Sequence, residues 1–356
     1  MKIIVSAGGT GGHIYPALAI IDKFKEKESK IDVLYIGTHN RMEKDIVPSK
    51  GIKYVGLEIY GLSKTNLKRD IKNIFLIKKA KRKCLEIMED FKPDVVIGVG
   101  GYVTYPVIWA AKKLGIKTFI HEQNSIPGKT NRLIANGASL VGVSFKNSMS
   151  YFSNAKKVVY TGNPCGSNAL KLPSIKPSLY GCKENRKTIL MVAGSLGSET
   201  LNNKMRVFLT LVGDEDYEYI YVTGKNYYDE FVHDAKFPKN VHVVPFIDSL
   251  AGLIRNVDLV ISRAGASTLS EILALKVPSI LIPSPYVANN HQYYNALDLE
   301  NLGVSILIEE KKLSPELLLV TINDLMKNKY TKMKKNLDKL NNISSSEIIY
   351  EEIKKL

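Results

Sequence analysis

Gly8-Gly9-Thr10-Gly11-Gly12-His13 sets a titratable ring directly behind a threonine and four glycines. An apolar run, Lys2 to Ala7, leads into it, and helical periodicity (Ile14, Ala17, Leu18, Ile21, Phe24) leads out. Glycines admit positive φ and let a ligand come close to the backbone. The helix that follows presents unpaired N–H groups and partial positive charge to an anion. A phosphate or diphosphate is the natural guest, with His13 beside it as a proton acceptor. The motif is not the GxGxxG dinucleotide fingerprint, because Ile14 stands where the third glycine belongs. No acidic residue ends the next strand-like run, Val33 to Thr38, where one would hold an NAD ribose, and the Lys-Ser/Thr of a P-loop is missing. A tight turn with no ligand is the other reading, and four glycines in five residues at a strand's carboxyl end weigh against it.

Four more polar loops follow strand-like runs. Gly98-Val99-Gly100-Gly101-Tyr102-Val103 leads into a helix from about Thr104 and would share a sheet edge with the first loop. His121-Glu122-Gln123-Asn124 leaves a buried strand, where polar side chains are expensive unless they bind something. A loop of capping residues is the alternative there, and Asn124 is the preferred ligand-facing member. Ser262-Arg263-Ala264-Gly265-Ala266-Ser267-Thr268-Leu269-Ser270-Glu271 opens a helix near Ser267 whose N-terminus suits a diphosphate. Glu271, one turn in, would accept from both hydroxyls of a ribose, unless it is a capping-box glutamate. Pro283 to Ala296 is crowded with amides, which discriminate hydroxyl patterns, so a sugar fits there. Asp214-Glu215-Asp216 matches a metal-holding DxD pattern but belongs to no constellation and reads as solvated surface. No His, Cys and carboxylate cluster has metal spacing, so no metal and no cofactor is expected.

Strand-like and helix-like runs alternate along the whole chain, which argues for parallel, doubly wound sheets. Strands are expected near residues 2–7, 31–37, 53–57, 94–98, 117–121 and 139–143, and again near 188–193, 218–223, 241–244, 257–261, 278–282 and 304–308. Thr161-Gly162-Asn163-Pro164, with Pro173 and Pro177 beyond it, marks the linker. Both halves open alike, as strand, glycine loop and helix, the second being Ile189 to Ser198. The expected architecture is two Rossmann-like α/β domains facing across a cleft, with ligands outside the carboxyl ends of strands.

The 356 residues suffice for two domains, and 45% hydrophobic content supports real cores. No apolar run reaches the roughly 18–20 residues that span a bilayer, and Met1-Lys2 leads into a strand with no visible signal peptide. Cys84, Cys165 and Cys182 form no CxxC, which fits a reducing cytoplasm. The net charge of +15 points to a polyanionic partner or to genome bias toward lysine. Asn66 to Phe91 interleaves Lys68, Arg69, Lys72, Lys78, Lys79, Lys81, Arg82 and Lys83 with Ile71, Ile74, Phe75, Leu76 and Ile77. That pattern fits a helix lying on an anionic membrane, and equally a core helix with a solvated lysine face. Trp109 would join the interfacial patch or fill a core.

Six motifs now stand in order: Gly8–His13, Gly98–Tyr102, His121–Asn124, Gly162-Asn163-Pro164, Ser262–Gly265 with Glu271, and Gln292-Tyr293-Tyr294-Asn295-Ala296. The chain resembles the MurG family of peptidoglycan N-acetylglucosaminyltransferases from residue 2 to about 310. The resemblance implies a GT-B fold and inverting transfer of N-acetylglucosamine from UDP-N-acetylglucosamine, a substrate rather than a cofactor, to lipid I. The product would be lipid II, made at the cytoplasmic face of the cell membrane by a peripheral enzyme. It implies an acceptor and membrane-binding domain over 1–163, a UDP-sugar domain over 164–337 and a helix at 338–356 returning to the first. Gly9, Thr10, Gly100, Gly101 and Tyr102 would hold the acceptor diphosphate, with His13 as base. Thr10, Gly11, Gly12, Asn124, Ser195, Ile247, Ala266, Ser267, Thr268, Leu269, Ser270, Glu271 and Gln292 would hold the donor: Ile247 the uracil, Glu271 the ribose, Asn124 and Gln292 the sugar. Ile71, Ile74, Phe75, Ile77 and Trp109 would meet the anionic inner leaflet. Nucleic acid is not an expected partner, since the basic residues are not interleaved with stacking aromatics along a groove. The family often carries Arg two positions after the Asn-Pro proline, where this chain has Gly166. A UDP-N-acetylglucosamine 2-epimerase would share fold and nucleotide but leave Gly8–His13 and the basic apolar helix unexplained. A basic nucleic-acid- or membrane-binding protein without catalysis would leave the polar strand-exit loops unexplained.

Overall fold

The computed structural model describes residues 1–61, 67–194, 197–213, 217–340 and 344–356. The apolar runs become strands whose residues are buried on both faces, as parallel sheets require. Seven of them, β1 (Lys2–Ala7), β2 (Asp32–Thr38), β3 (Lys53–Leu57), β4 (Val95–Gly100), β5 (Lys117–Glu122), β6 (Leu140–Val143) and β7 (Val158–Tyr160), form a sheet in the order 3-2-1-4-5-6-7. Six more, β8 (Lys187–Val192), β9 (Tyr217–Val222), β10 (Val241–Val244), β11 (Leu259–Ser262), β12 (Ser279–Leu281) and β13 (Ser305–Leu307), form a second in the order 10-9-8-11-12-13. Every pairing among the described residues is parallel. Strand order reverses beside β1 and β4 in one sheet and beside β8 and β11 in the other. Those switch points open crevices for ligands, and the glycine loops lie at both.

Two compact units result, Met1–Cys165 with Ile343–Leu356, and Gly166–Asn342. The expected return at 338–356 starts later, because Tyr330–Lys339 is a helix of the second unit with Met333 and Leu337 buried. The helix Ser345–Lys354 belongs to the first unit and lays Ile349, Tyr350 and Ile353 into its core beside Phe24. The Phe24 and Tyr350 rings meet edge-on at 5.0 Å, and Glu347 pairs with Lys23 (2.5 Å) and Lys27 (2.6 Å). Among the described residues, no helix is long and apolar enough to cross a membrane.

Candidate active site

In the first unit the pairing of β1 with β4 brings the two glycine loops together, with Ala7 opposite Gly100. Gly8 N–H donates to the Gly100 carbonyl at 3.2 Å. Gly101 takes φ +87° and needs to be glycine, because a Cβ there would lie 2.3 Å from the Gly8 carbonyl oxygen. Gly100 (φ +113°) makes room for the His13 ring, whose Nε2 would be 2.9 Å from a Cβ at that position. His13 Nδ1 lies 3.1 Å from the Gly8 carbonyl. A carbonyl only accepts, so this contact puts a proton on Nδ1, and in the neutral ring the lone pair is then on Nε2. Thr10 caps the helix Gly11–Lys27 without a side-chain bond to its N–H groups, and its Oγ1 lies 3.5 Å from His13 Nδ1. The N–H groups of Thr10, Gly11 and Gly12 have no protein acceptor among the described residues, which makes them an anion cradle. Gly9 differs: its N–H points inward to Glu43 Oε2 at 3.2 Å. Tyr102 follows Gly101, and its hydroxyl is buried with no partner among the described residues.

The His121–Asn124 loop is held mainly by bonds to itself and to neighbouring backbone. His121 is fully buried, donates from Nε2 to the Gly162 carbonyl at 3.0 Å and accepts at Nδ1 from Gln123. Burial pushes its imidazole down to about 4, so it is neutral at physiological pH. Gln123 also donates to the Val99 carbonyl, and Glu122 accepts from Asn124 N–H, Gly128 N–H and Asn131. Three of the four polar residues are thus accounted for by structure, and half-buried Asn124 is the member left at the surface.

In the second unit, β11 ends at Ser262 and Gly265 caps the helix Ala266–Ala274. Glu271 is the sixth residue of that helix, so it is not the third-position partner of a capping box. No hydrogen bond reaches its carboxyl among the described residues, and burial pushes it up to about 7. Ser267 Oγ is buried without a partner among the described residues. Both are groups that a bound polar ligand would satisfy. Gln292 accepts from Ser284 N–H at 2.9 Å, and Asn295 donates to the Ala264 carbonyl, tying the amide-rich corner after β12 to the loop after β11. A cleft of about 520 Å³ borders this corner, lined by Pro283, Tyr286, Asn290, Tyr293 and Glu310 among others. Two expected donor contacts are interior: Leu269 and Ile247 are buried in the core, and Leu269 N–H bonds the Gly265 carbonyl. Any contact from Leu269 or Ile247 would therefore come from backbone. Ser195 and the Asp214–Asp216 run lie outside the described residues.

The absent family arginine has a structural counterpart. A Cβ at Gly166 would lie 2.8 Å from the Ser270 carbonyl oxygen, so this site has no room for a side chain. Arg263 does not replace it, since its guanidinium is buried against Glu310 (2.5 Å) and Ser198 (2.7 Å).

The helix Leu67–Phe91 sets Ala80, Cys84 and Met88 into the core, while its first turns invert that logic. Asn73 is buried, bonding both N–H and carbonyl of Tyr60, whereas Ile71, Ile74 and Phe75 are exposed, Phe75 by 66%. Ile77 and Trp109 are half-buried against the core, and Lys81 sits 4.5 Å over the Trp109 ring. The exposed apolar face is therefore Ile71, Ile74 and Phe75. Among the described residues, the fold also gathers one cluster that the sequence conceals: Cys182, Glu218 and His242 place potential ligand atoms within 4.8 Å of one another. His242 bonds Glu218 at 2.8 Å and Arg186 faces the same carboxylate at 3.8 Å, so an ion-pair network already occupies it.

Residues 3–143 match the glycosyltransferase family 28 N-terminal domain, and residues 188–348 match the family 28 C-terminal domain. The chain is 43% identical over 335 residues to a Halalkalibacterium halodurans protein, covering 92% of this chain and 91% of that one. It is 37% identical over 335 residues to one from Bacillus subtilis (93% and 92% covered). Both carry the name UDP-N-acetylglucosamine--N-acetylmuramyl-(pentapeptide) pyrophosphoryl-undecaprenol N-acetylglucosamine transferase. The structure aligns with crystalline Acinetobacter baumannii MurG at TM-score 0.79 and 28% identity, covering 100% of this chain and 99% of that one. A UDP-GlcNAc 2-epimerase from Neisseria meningitidis aligns at TM-score 0.70 but 15% identity over 100% of both chains, a likeness of fold alone.

Proposed function

The chain belongs to the MurG family within glycosyltransferase family 28, and from that premise we propose how its residues divide the reaction. It is an N-acetylglucosamine transferase, with UDP-N-acetylglucosamine as donor and lipid I as acceptor, making lipid II. We assign the acceptor diphosphate to the Thr10, Gly11 and Gly12 N–H groups, with Gly9, Gly100, Gly101 and Tyr102 shaping the cradle. His13 Nε2 takes the proton of the attacking acceptor hydroxyl. The oxygen bonds to the anomeric carbon from the face opposite the leaving group, the bond to the diphosphate breaks, and UDP departs with inversion. Ser267, Thr268 and the N-terminus of the helix Ala266–Ala274 stabilise the leaving diphosphate as charge develops. Glu271 accepts from the ribose hydroxyls, and Gln292 and Asn124 address the sugar. Ile71, Ile74 and Phe75, amid lysines, rest on the anionic inner leaflet, so the enzyme is peripheral on the cytoplasmic side.

The observation that carries this reading is the pinning of His13 Nδ1 by the Gly8 carbonyl, beside three backbone N–H groups without protein acceptors. The test is transfer from UDP-N-acetylglucosamine to lipid I by wild type and His13→Ala. Loss of a general base costs about 10²–10⁴-fold in turnover. Affinity for UDP should stay within about twofold. A fall in turnover under tenfold would make His13 a loop-shaping residue and place the base elsewhere.

A further inference from the structure

Behind the first glycine loop lies a carboxylate that the reaction as described does not use. Glu43 is fully buried. Its Oε1 accepts from Thr38 N–H (3.1 Å) and Thr38 Oγ (2.6 Å), and its Oε2 accepts from Gly9 N–H (3.2 Å). It thus ties the end of β2 to the loop after β1. Two glycines exist to admit it. A Cβ on Gly8 would lie 2.3 Å from Glu43 Oε1, and one on Gly37 2.8 Å from Glu43 Cγ. The neighbouring tyrosines complete the support, Tyr35 donating to the Ala7 carbonyl at 3.0 Å and Tyr54 to the Thr38 carbonyl. Burial first, and the Glu43 charge second, push both phenols up, so they remain donors.

A buried negative charge under an anion site runs against simple electrostatics, and the geometry accounts for it. By drawing the Gly9 N–H inward at φ +91°, Glu43 fixes the peptide that links Gly8 to Gly9. The carbonyl of that same peptide is the Gly8 oxygen at His13 Nδ1. In a planar trans peptide, N–H and C=O point in opposite directions. The inward N–H therefore aims the carbonyl at the ring. We propose that Glu43 is a positioning residue for the transfer: through the Gly8–Gly9 peptide it sets the His13 tautomer that leaves Nε2 to accept the proton. This rests on the reading of His13 as base, and the experiment separates the two claims.

The experiment compares wild type with Glu43→Gln and Glu43→Asp. Gln keeps the volume, but with its amide oxygen on the two Thr38 donors its NH₂ faces the Gly9 N–H, so the Gly8–Gly9 peptide loses its anchor. Long-range ¹H–¹⁵N spectra of histidine-labelled protein report which His13 nitrogen carries the proton. Wild type should show the Nδ1–H form, and Glu43→Gln a mixture or the Nε2–H form, with the Gly9 amide resonance displaced. In the lipid I assay kcat should fall about 10²-fold, as for a displaced catalytic group. KM for the donor should stay within about twofold, and Glu43→Asp should recover part of the loss. A merely structural role predicts a lower Tm with the tautomer unchanged, and an unchanged His13 tautomer in folded Glu43→Gln overturns the proposal. If the tautomer moves while His13→Ala keeps its turnover, the positioning holds and the assignment of His13 as base fails instead.

Discussion

Glu271 offers a quantitative test of the donor site. Burial without a hydrogen-bond donor leaves its carboxyl at about 7. Two ribose hydroxyls donate more strongly to the carboxylate than to the acid, whose own proton takes up one oxygen, so donor binding selects the carboxylate. About 90% of that form is present at pH 8 and about 9% at pH 6, one pH unit either side of the midpoint. The Kd for UDP-N-acetylglucosamine should therefore rise about tenfold from pH 8 to pH 6, about 1.4 kcal/mol. Binding at pH 6 should release close to one proton. The intact sugar nucleotide is the ligand to use, because its diester diphosphate does not titrate in this range. Isothermal titration calorimetry in buffers of different ionisation enthalpy gives both Kd and proton count. Glu271→Gln should lose about 10- to 100-fold in affinity at pH 8, the worth of hydrogen bonds to a charged group, and lose the pH slope with it. A slope that survives in Glu271→Gln would assign it to another residue. Tighter binding at low pH would mean that the acid form donates to the ligand, which would refute the ribose role.

Two further outcomes are expected. Replacing Ile74 and Phe75 by Ser should cut binding to anionic vesicles at least about tenfold and impair transfer to lipid I in bilayers, while transfer to a short-chain soluble acceptor survives. Co-sedimentation and the two assays check this, and equal loss on both acceptors would make the side chains structural. His121, folded at about 4 against 6.5 in the unfolded chain, contributes stability that is complete above 6.5 and lost as pH falls toward 4. The first unit should lose about 2 kcal/mol between pH 7.5 and pH 5 from this group. Urea unfolding followed by Trp109, the single tryptophan, should show it in wild type and not in His121→Asn, and equal loss in both would point to other groups.

The glycine loops were legible because their requirement is local: a strand ending in glycines before a helix has few uses besides close backbone approach. The alternation of runs was legible for the same reason, since a strand buried on both faces is apolar along its length. What escaped was action at a distance. Glu43 sits in an ordinary polar helical turn, and only the pairing of β1 with β2 carries it beneath Gly9. Exposed and buried polar residues read alike in sequence, so the burial of His121 and Gln123 stayed hidden; their partners are the Gly162 carbonyl in the loop after β7 and the Val99 carbonyl in β4. Leu269 lies within the Ser262–Glu271 run and Ile247 was named by the family resemblance, but their side chains point into the core. The Leu67–Phe91 helix buries Asn73 and exposes Phe75, an inversion that a helical period cannot reveal by itself.

The helix Ser345–Lys354 belongs to the first unit but follows the whole second unit in sequence. During synthesis, then, the first unit waits. Once residue 165 has emerged, its sheet can form, but the face of helix Gly11–Lys27 around Phe24 remains wet until Ile349, Tyr350 and Ile353 arrive. At roughly 5–20 residues per second that interval is on the order of 10–40 s. Throughout it the nascent chain carries an apolar stripe open to chaperones and to misassociation. The half that holds His13 is thus sealed by residues made after the half that holds Glu271, and chains cut short before Ser345 keep both glycine loops but leave that stripe uncovered.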